Sequence, residues 1–137
     1  ISLFKAKYYY NLVITAPISI GELYDKISIL EIKLSKIKDK LKRKLIIHQL
    51  AELTSIAANE VDENFSRDPL YSELKNINSE LWRIEEGKRE CETNQTFDKY
   101  FIYLARQVYL KNDERAVIKQ KIDTQFLSEI TEVKSYV

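Results

Sequence analysis

Apolar residues recur every three or four positions through most of the chain, the spacing of one face of an α-helix. In the first run Leu23, Ile27, Leu30, Leu34 and Ile37 form a stripe. Ser19 with Glu22 three residues later reads as a capping box at its start. The spacing predicts a helix from about Ile20 to Asp39. Ile20, Tyr24, Ile29 and Ile32 add apolar surface off the stripe, which puts this helix at the centre with neighbours on more than one side. A second amphipathic segment, about Leu41 to Ala58, carries Ile46, Leu50, Leu53 and Ala57. A bend near Asp39-Lys40 makes the pair a long hairpin; one unbroken helix from Ile20 to Ala58 is the alternative, since neither Gly nor Pro interrupts it.

The rhythm lapses in "NEVDENFSR", Asn59 to Arg67. Asp68 then reads as an N-cap with Pro69 in the first turn, where a missing N–H costs nothing. Leu70, Leu74, Ile77, Leu81 and Ile84 repeat the pattern in a third helix that ends near Cys91. Phe97, Phe101, Leu104, Ala105 and Val108 open a fourth. The tail, "SEITEVKSYV", alternates weakly and suits a short strand or an extended arm, with a terminal β pairing to "NLVITA". These elements predict an all-α fold, a single helical bundle of long antiparallel helices over residues 14–137. Residues 1–13 read as an N-terminal extension or a fragment boundary, because the chain opens on Ile and contains no Met.

The fourth helix poses the main question. On one face of "RQVYLKNDERAVIKQKI" the apolar residues give way to Asn112, Arg115 and Lys119, and Ile122 and Phe126 rejoin it. A continuous helix therefore puts three polar side chains in or beside the core, where an unpaired polar group costs about 1–3 kcal/mol. They would need partners or a cleft. The other reading ends the helix near Lys111 and restarts it with Asp113 as the cap.

Composition narrows the function classes. With 137 residues and only two Gly and two Pro, one core suffices and a turn-rich β fold is disfavoured. Lys and Arg number 22 against 21 Asp and Glu, a net +1, so no overall field draws the chain to nucleic acid or an anionic membrane. One cysteine, Cys91, and one histidine, His48, exclude an internal disulfide and a Cys/His zinc site. A reducing cytoplasm is the simplest compartment. "ISLFKAKYYYNLVITAPISI" imitates a signal peptide, but Pro17 opposes cleavage after Ala16 and the run is too short for a membrane span.

Candidate chemistry is sparse. Glu22 and Asp25 stand one turn apart in "GELYDK", the spacing of paired carboxylates that share a metal or a proton, though capping and the helix dipole account for both. No metal or cofactor is expected. Tyr71, Asn78, Trp82, Glu85 and Arg89 share a flank of the third helix that suits stacking on a sugar or base, but such a flank is more often aromatic packing against a neighbouring helix, with Glu85 and Arg89 as an i,i+4 ion pair. The basic run "KLSKIKDKLKRK" lacks aromatics and reads as a solvated hairpin tip.

The segments "PISIGELYDKISILEIKL", "NINSELWRIEE", "YLARQVYLKNDERAVIKQKI" and "EVKSY" together resemble a family of small bacterial proteins with a domain of unknown function, from Ile14 to Tyr136. The stretch from Leu41 to Asn64 fits that pattern less well. The resemblance implies no activity. It marks as pattern residues Glu22, Asp25, Lys26, Glu31, Lys33, Trp82, Glu85, Arg106, Tyr109, Asn112, Asp113, Arg115, Lys119, Lys134, Ser135 and Tyr136, a set rich in charge that points to binding.

The first functional expectation is accordingly a noncatalytic binding or adaptor protein that recognises an anionic small molecule or an acidic protein partner. Its candidate ligand-binding residues are Glu22, Asp25, Lys26, Arg106, Tyr109, Asn112, Asp113, Arg115, Lys119, Lys134 and Tyr136. The second is an enzyme acting on a phosphorylated or sugar substrate, with Glu22 or Asp25 as acid or base. The third is a structural homodimer through the heptad faces.

Overall fold

The computed structural model describes the backbone of residues 14–135 and the side chains as far as residue 127. Four helices and one short 3-10 turn account for its regular structure: α1 Ile20–Lys36, α2 Lys40–Glu60, the turn Phe65–Arg67, α3 Pro69–Thr93 and α4 Lys99–Ser135. The all-α expectation holds, and among the described residues there is no strand. Where the tail suggested a strand or an arm, α4 continues as helix through Ser135. The N-terminal extension and Tyr136 lie outside the described residues, as does the side chain of Lys134.

Local chemistry fixes the helix ends. The Ser19 side chain accepts from the Glu22 N–H at 3.1 Å, half of a capping box; the Glu22 carboxylate turns instead toward α4. The hairpin reading is the correct one, because α1 stops at Lys36 and Asp39 caps α2 through the Lys42 N–H at 2.9 Å. Arg43 reaches back from α2 and donates to the Ile37 carbonyl at 3.1 Å and to that of Leu34, both at the end of α1. One residue of the basic run therefore has a structural task. Asp68 caps α3 through the Leu70 N–H, with Pro69 in the first turn. Asp98 accepts from the N–H groups of Tyr100 and Phe101 and starts α4.

α1 is the central helix: it packs against α2, α3 and α4, and α3 and α4 run along one another. Leu23, Tyr24 and Ile27 of α1 meet Ala57, Phe65, Tyr71, Leu74, Ile118 and Ile122 in one buried core. Tyr24 lies 5.7 Å from the ring centroids of both Phe65 and Tyr71, and edge-on to Phe126 at 6.2 Å. Phe65 thus makes the polar lapse after α2 a second anchor of the core, which the apolar periodicity did not reveal.

The approach of α1 to α4 is close. A Cβ on Gly21 would stand 2.6 Å from the Lys119 carbonyl oxygen and 2.9 Å from Asp123 Oδ1. In its absence the Gly21 N–H donates to Asp123 Oδ1 at 2.7 Å, which satisfies one of the free donors at the start of a helix.

Candidate functional site

Asn112 and Asp113 do not break α4, which runs unbroken through both. The polar residues on its inner face are tolerated because each finds a partner. Asp25, only 2% exposed, stands opposite them on α1. Arg115 Nε donates to Asp25 Oδ1 at 2.9 Å and Nη2 donates to Oδ2. Asn78 of α3 adds a third bond, Nδ2 to Oδ1 at 2.9 Å, and also donates to Ser28 Oγ at 2.8 Å; that hydroxyl donates to the Asp25 carbonyl. Lys119 donates to Glu22 and keeps its ammonium 3.9 Å from Asp25 Oδ2.

Two anions and two cations therefore balance at the junction of three helices. Burial acts most strongly on Asp25 and pushes its pKa up. The hydrogen bonds from Arg115 and Asn78, with the charges of Arg115 and Lys119, outweigh it and hold the carboxyl below its ordinary value. The hydrogen bond to Asp25 likewise raises Arg115. A parallel tie joins α1 to α3, where Glu31 accepts from Tyr71 and Lys75. Burial, then the bond to Glu31, pushes the Tyr71 phenol well above the usual range.

Beside Arg115 a cleft of about 330 Å³ opens between α1, α3 and α4. Ile29, Ile32, Leu81 and Trp82 give it an apolar wall, and Glu85, Arg89, Asn112 and Arg115 give it polar groups. Asn112 Oδ1 accepts from Arg115 Nη1 at 3.2 Å, so among the described residues three of the five N–H groups of that guanidinium are engaged and two find no partner. The Trp82 indole N–H donates to Glu86 at 2.8 Å. Glu85 faces Lys88 at 3.6 Å rather than Arg89, the partner that helical spacing suggested. The Arg89 guanidinium has no ion-pair partner among the described residues.

Glu22, Asp25, Asn112, Arg115 and Lys119 thus come together, but Glu22, Asp25 and Lys119 are spent largely on one another and on Arg115. Lys26 is exposed. Arg106, Tyr109 and Asp113 are exposed and do not line the cleft; helical geometry puts them on the far side of α4 from Leu104, Arg115 and Ile122. The groups that complete the cleft from α3, namely Asn78, Trp82, Glu85 and Arg89, are the flank whose spacing suited either stacking on a sugar or base or packing on a neighbouring helix, and they stood outside the candidate ligand-binding set. Their spacing of four, three and four residues marks a single helix face, and that was the available signal. Tyr71, grouped with them in sequence, belongs to the core instead.

Among the described residues no three His, Cys, Asp or Glu side chains are grouped to hold a metal ion. No helix of the described residues is long and apolar enough to cross a membrane. Neither a curated protein nor a solved structure matches the chain. A family model does match, over residues 14–137, and covers the three helices that form the cleft. The chain therefore belongs to DUF6165, a family of unknown function.

Proposed function

We propose that this is a noncatalytic binding protein whose cleft between α1, α3 and α4 receives a small anionic ligand. The observation that carries the reading is Arg115: Asp25 fixes its guanidinium, yet two of its N–H groups find no partner among the described residues and the side chain lines the cleft. A pre-positioned guanidinium loses little freedom when it meets a carboxylate or phosphate. Arg89 supplies a second cation, Asn112 an amide, and the wall of Ile29, Ile32 and Trp82 a surface for a sugar or planar ring.

The carboxylate acid/base alternative has less support. It asks Asp25 or Glu22 to exchange protons with a substrate, whereas Asp25 is held ionised by Arg115 and Asn78 and Glu22 is engaged by Lys119.

Trp82 is the only tryptophan in the chain and lines the cleft, so its fluorescence reports on occupancy. Titration with inorganic phosphate, glucose 1-phosphate and uridine 5′-monophosphate is expected to give a saturable change for at least one of them. Arg89→Ala, which removes an exposed cation without touching Asp25, is expected to weaken that binding about tenfold or more. No saturable change with any of the three, or unaltered affinity in Arg89→Ala, rejects the reading.

A further inference from the structure

The outer face of α4 is apolar where a helix fully served by its own bundle would be polar. Ile102, Tyr103, Tyr109, Leu110 and Val117 are 56%, 57%, 52%, 39% and 51% exposed. At 1.5 Å per residue this stripe runs about 22 Å along the helix. Two charges lie within it, Arg106 and Asp113, seven residues and therefore about two turns apart. Both are exposed, and neither has an ion-pair partner among the described residues. The inner face of the same helix has Lys111, Arg115 and Lys119 all paired.

We infer that this stripe binds a second copy of the chain, as an antiparallel α4–α4 pair about a two-fold axis between Tyr109 and Leu110. The order of residues is self-complementary about that point. Ile102 of one copy falls opposite Val117 of the other, Arg106 opposite Asp113, and Tyr109 opposite Leu110. Each of these matches occurs twice under the symmetry, as a two-fold interface requires.

The charges choose the direction. Antiparallel pairing sets Arg106 against Asp113 at both ends of the stripe, whereas parallel pairing in register sets Arg106 against Arg106 and Asp113 against Asp113. Like charges facing one another across an interface oppose it. A shallow hollow of about 330 Å³ beside Ile102, Tyr103, Arg106 and Leu110 lies where the second copy's Val117 arrives. A contact one helix wide falls below the roughly 1,200 Å² typical of stable complexes, so the dimer is weak and concentration-dependent. The cleft of the proposed function lies on the opposite side of α4, and the two readings stand or fall separately.

Sedimentation velocity over a broad range of concentrations, with the whole chain, tests the inference by charge exchange. Wild type is expected to move from monomer to dimer as concentration rises. Arg106→Asp and Asp113→Arg, each of which places like charges opposite one another twice, should each weaken the dimer at least about tenfold. Arg106→Asp combined with Asp113→Arg should restore it. Both positions are exposed, and unchanged circular dichroism and melting of the variants separate loss of association from loss of fold. Wild type that stays monomeric at every concentration overturns the inference. So does association unaffected by either single reversal, or a double variant no tighter than the singles.

Discussion

Asp25 and Arg115 lie 90 residues apart in the chain and meet through both carboxylate oxygens, Nε to Oδ1 at 2.9 Å and Nη2 to Oδ2. This pair turns the interruption in the fourth helix into the attachment of the first. Asp25→Asn leaves Arg115 and Lys119 facing each other without their shared counterion. Loss of one partner from a fully buried pair costs about 3–5 kcal/mol. Because Arg115 retains 27% exposure, a loss of roughly 2–4 kcal/mol in urea unfolding is expected. Adding Arg115→Gln should recover part of it, so that the double-mutant cycle is non-additive.

The same pair sets an acid limit. Asp25 titrates below its ordinary 3.8 in the native state, so as pH falls the unfolded chain takes up the proton first. The resulting stability is complete above about pH 5 and drains away as pH drops through 4 toward the native pKa. Melting temperature against pH should fall more steeply between about pH 5 and 3 in wild type than in Asp25→Asn with Arg115→Gln. Parallel curves would assign the acid sensitivity to other carboxylates.

Gly21 is required by contact rather than by conformation. Its backbone is helical, and the obstacle to a side chain is the α4 backbone itself, with the Lys119 carbonyl oxygen 2.6 Å from a Cβ. A main-chain atom cannot rotate aside. Gly21→Ala should therefore destabilise by about 1–3 kcal/mol despite alanine's better helix propensity. Gly87→Ala is the milder case: a Cβ there would meet side chains and no backbone, Leu104 Cδ1 at 3.0 Å and the Tyr100 hydroxyl at 3.7 Å. Thermal melts of the two variants should rank Gly21→Ala as the worse.

Helix number was legible because apolar residues repeat at helical spacing within each run, and the central place of α1 because Ile20, Tyr24, Ile29 and Ile32 add apolar surface off its stripe of Leu23, Ile27 and Leu30. Two elements were not. Phe65 stands alone among polar residues, and burial of an isolated aromatic leaves no periodic trace. Asn112-Asp113 has the local chemistry of a cap, and the outcome turned on Asp25, whose contact with α4 no short-range pattern encodes. For the same reason the list of candidates mixed two faces of α4: Arg115 and Lys119 turn inward and Arg106, Tyr109 and Asp113 outward. Charge alone does not distinguish them; the phase of the helix relative to Leu104 and Ile122 does.

The bonds between α1 and α4 also bear on the order in which the chain can be made. Gly21 joins a residue 102 positions later, and Ile118 and Ile122 complete a core that begins at Leu23. A ribosome has long released α1 when those residues emerge. Until then Asp25 has Asn78 but no guanidinium, and the first helix shows an open apolar side to its surroundings. The native fold is thus reached only after nearly the whole domain has been synthesised, and its earliest helix is among those most in need of shielding during translation.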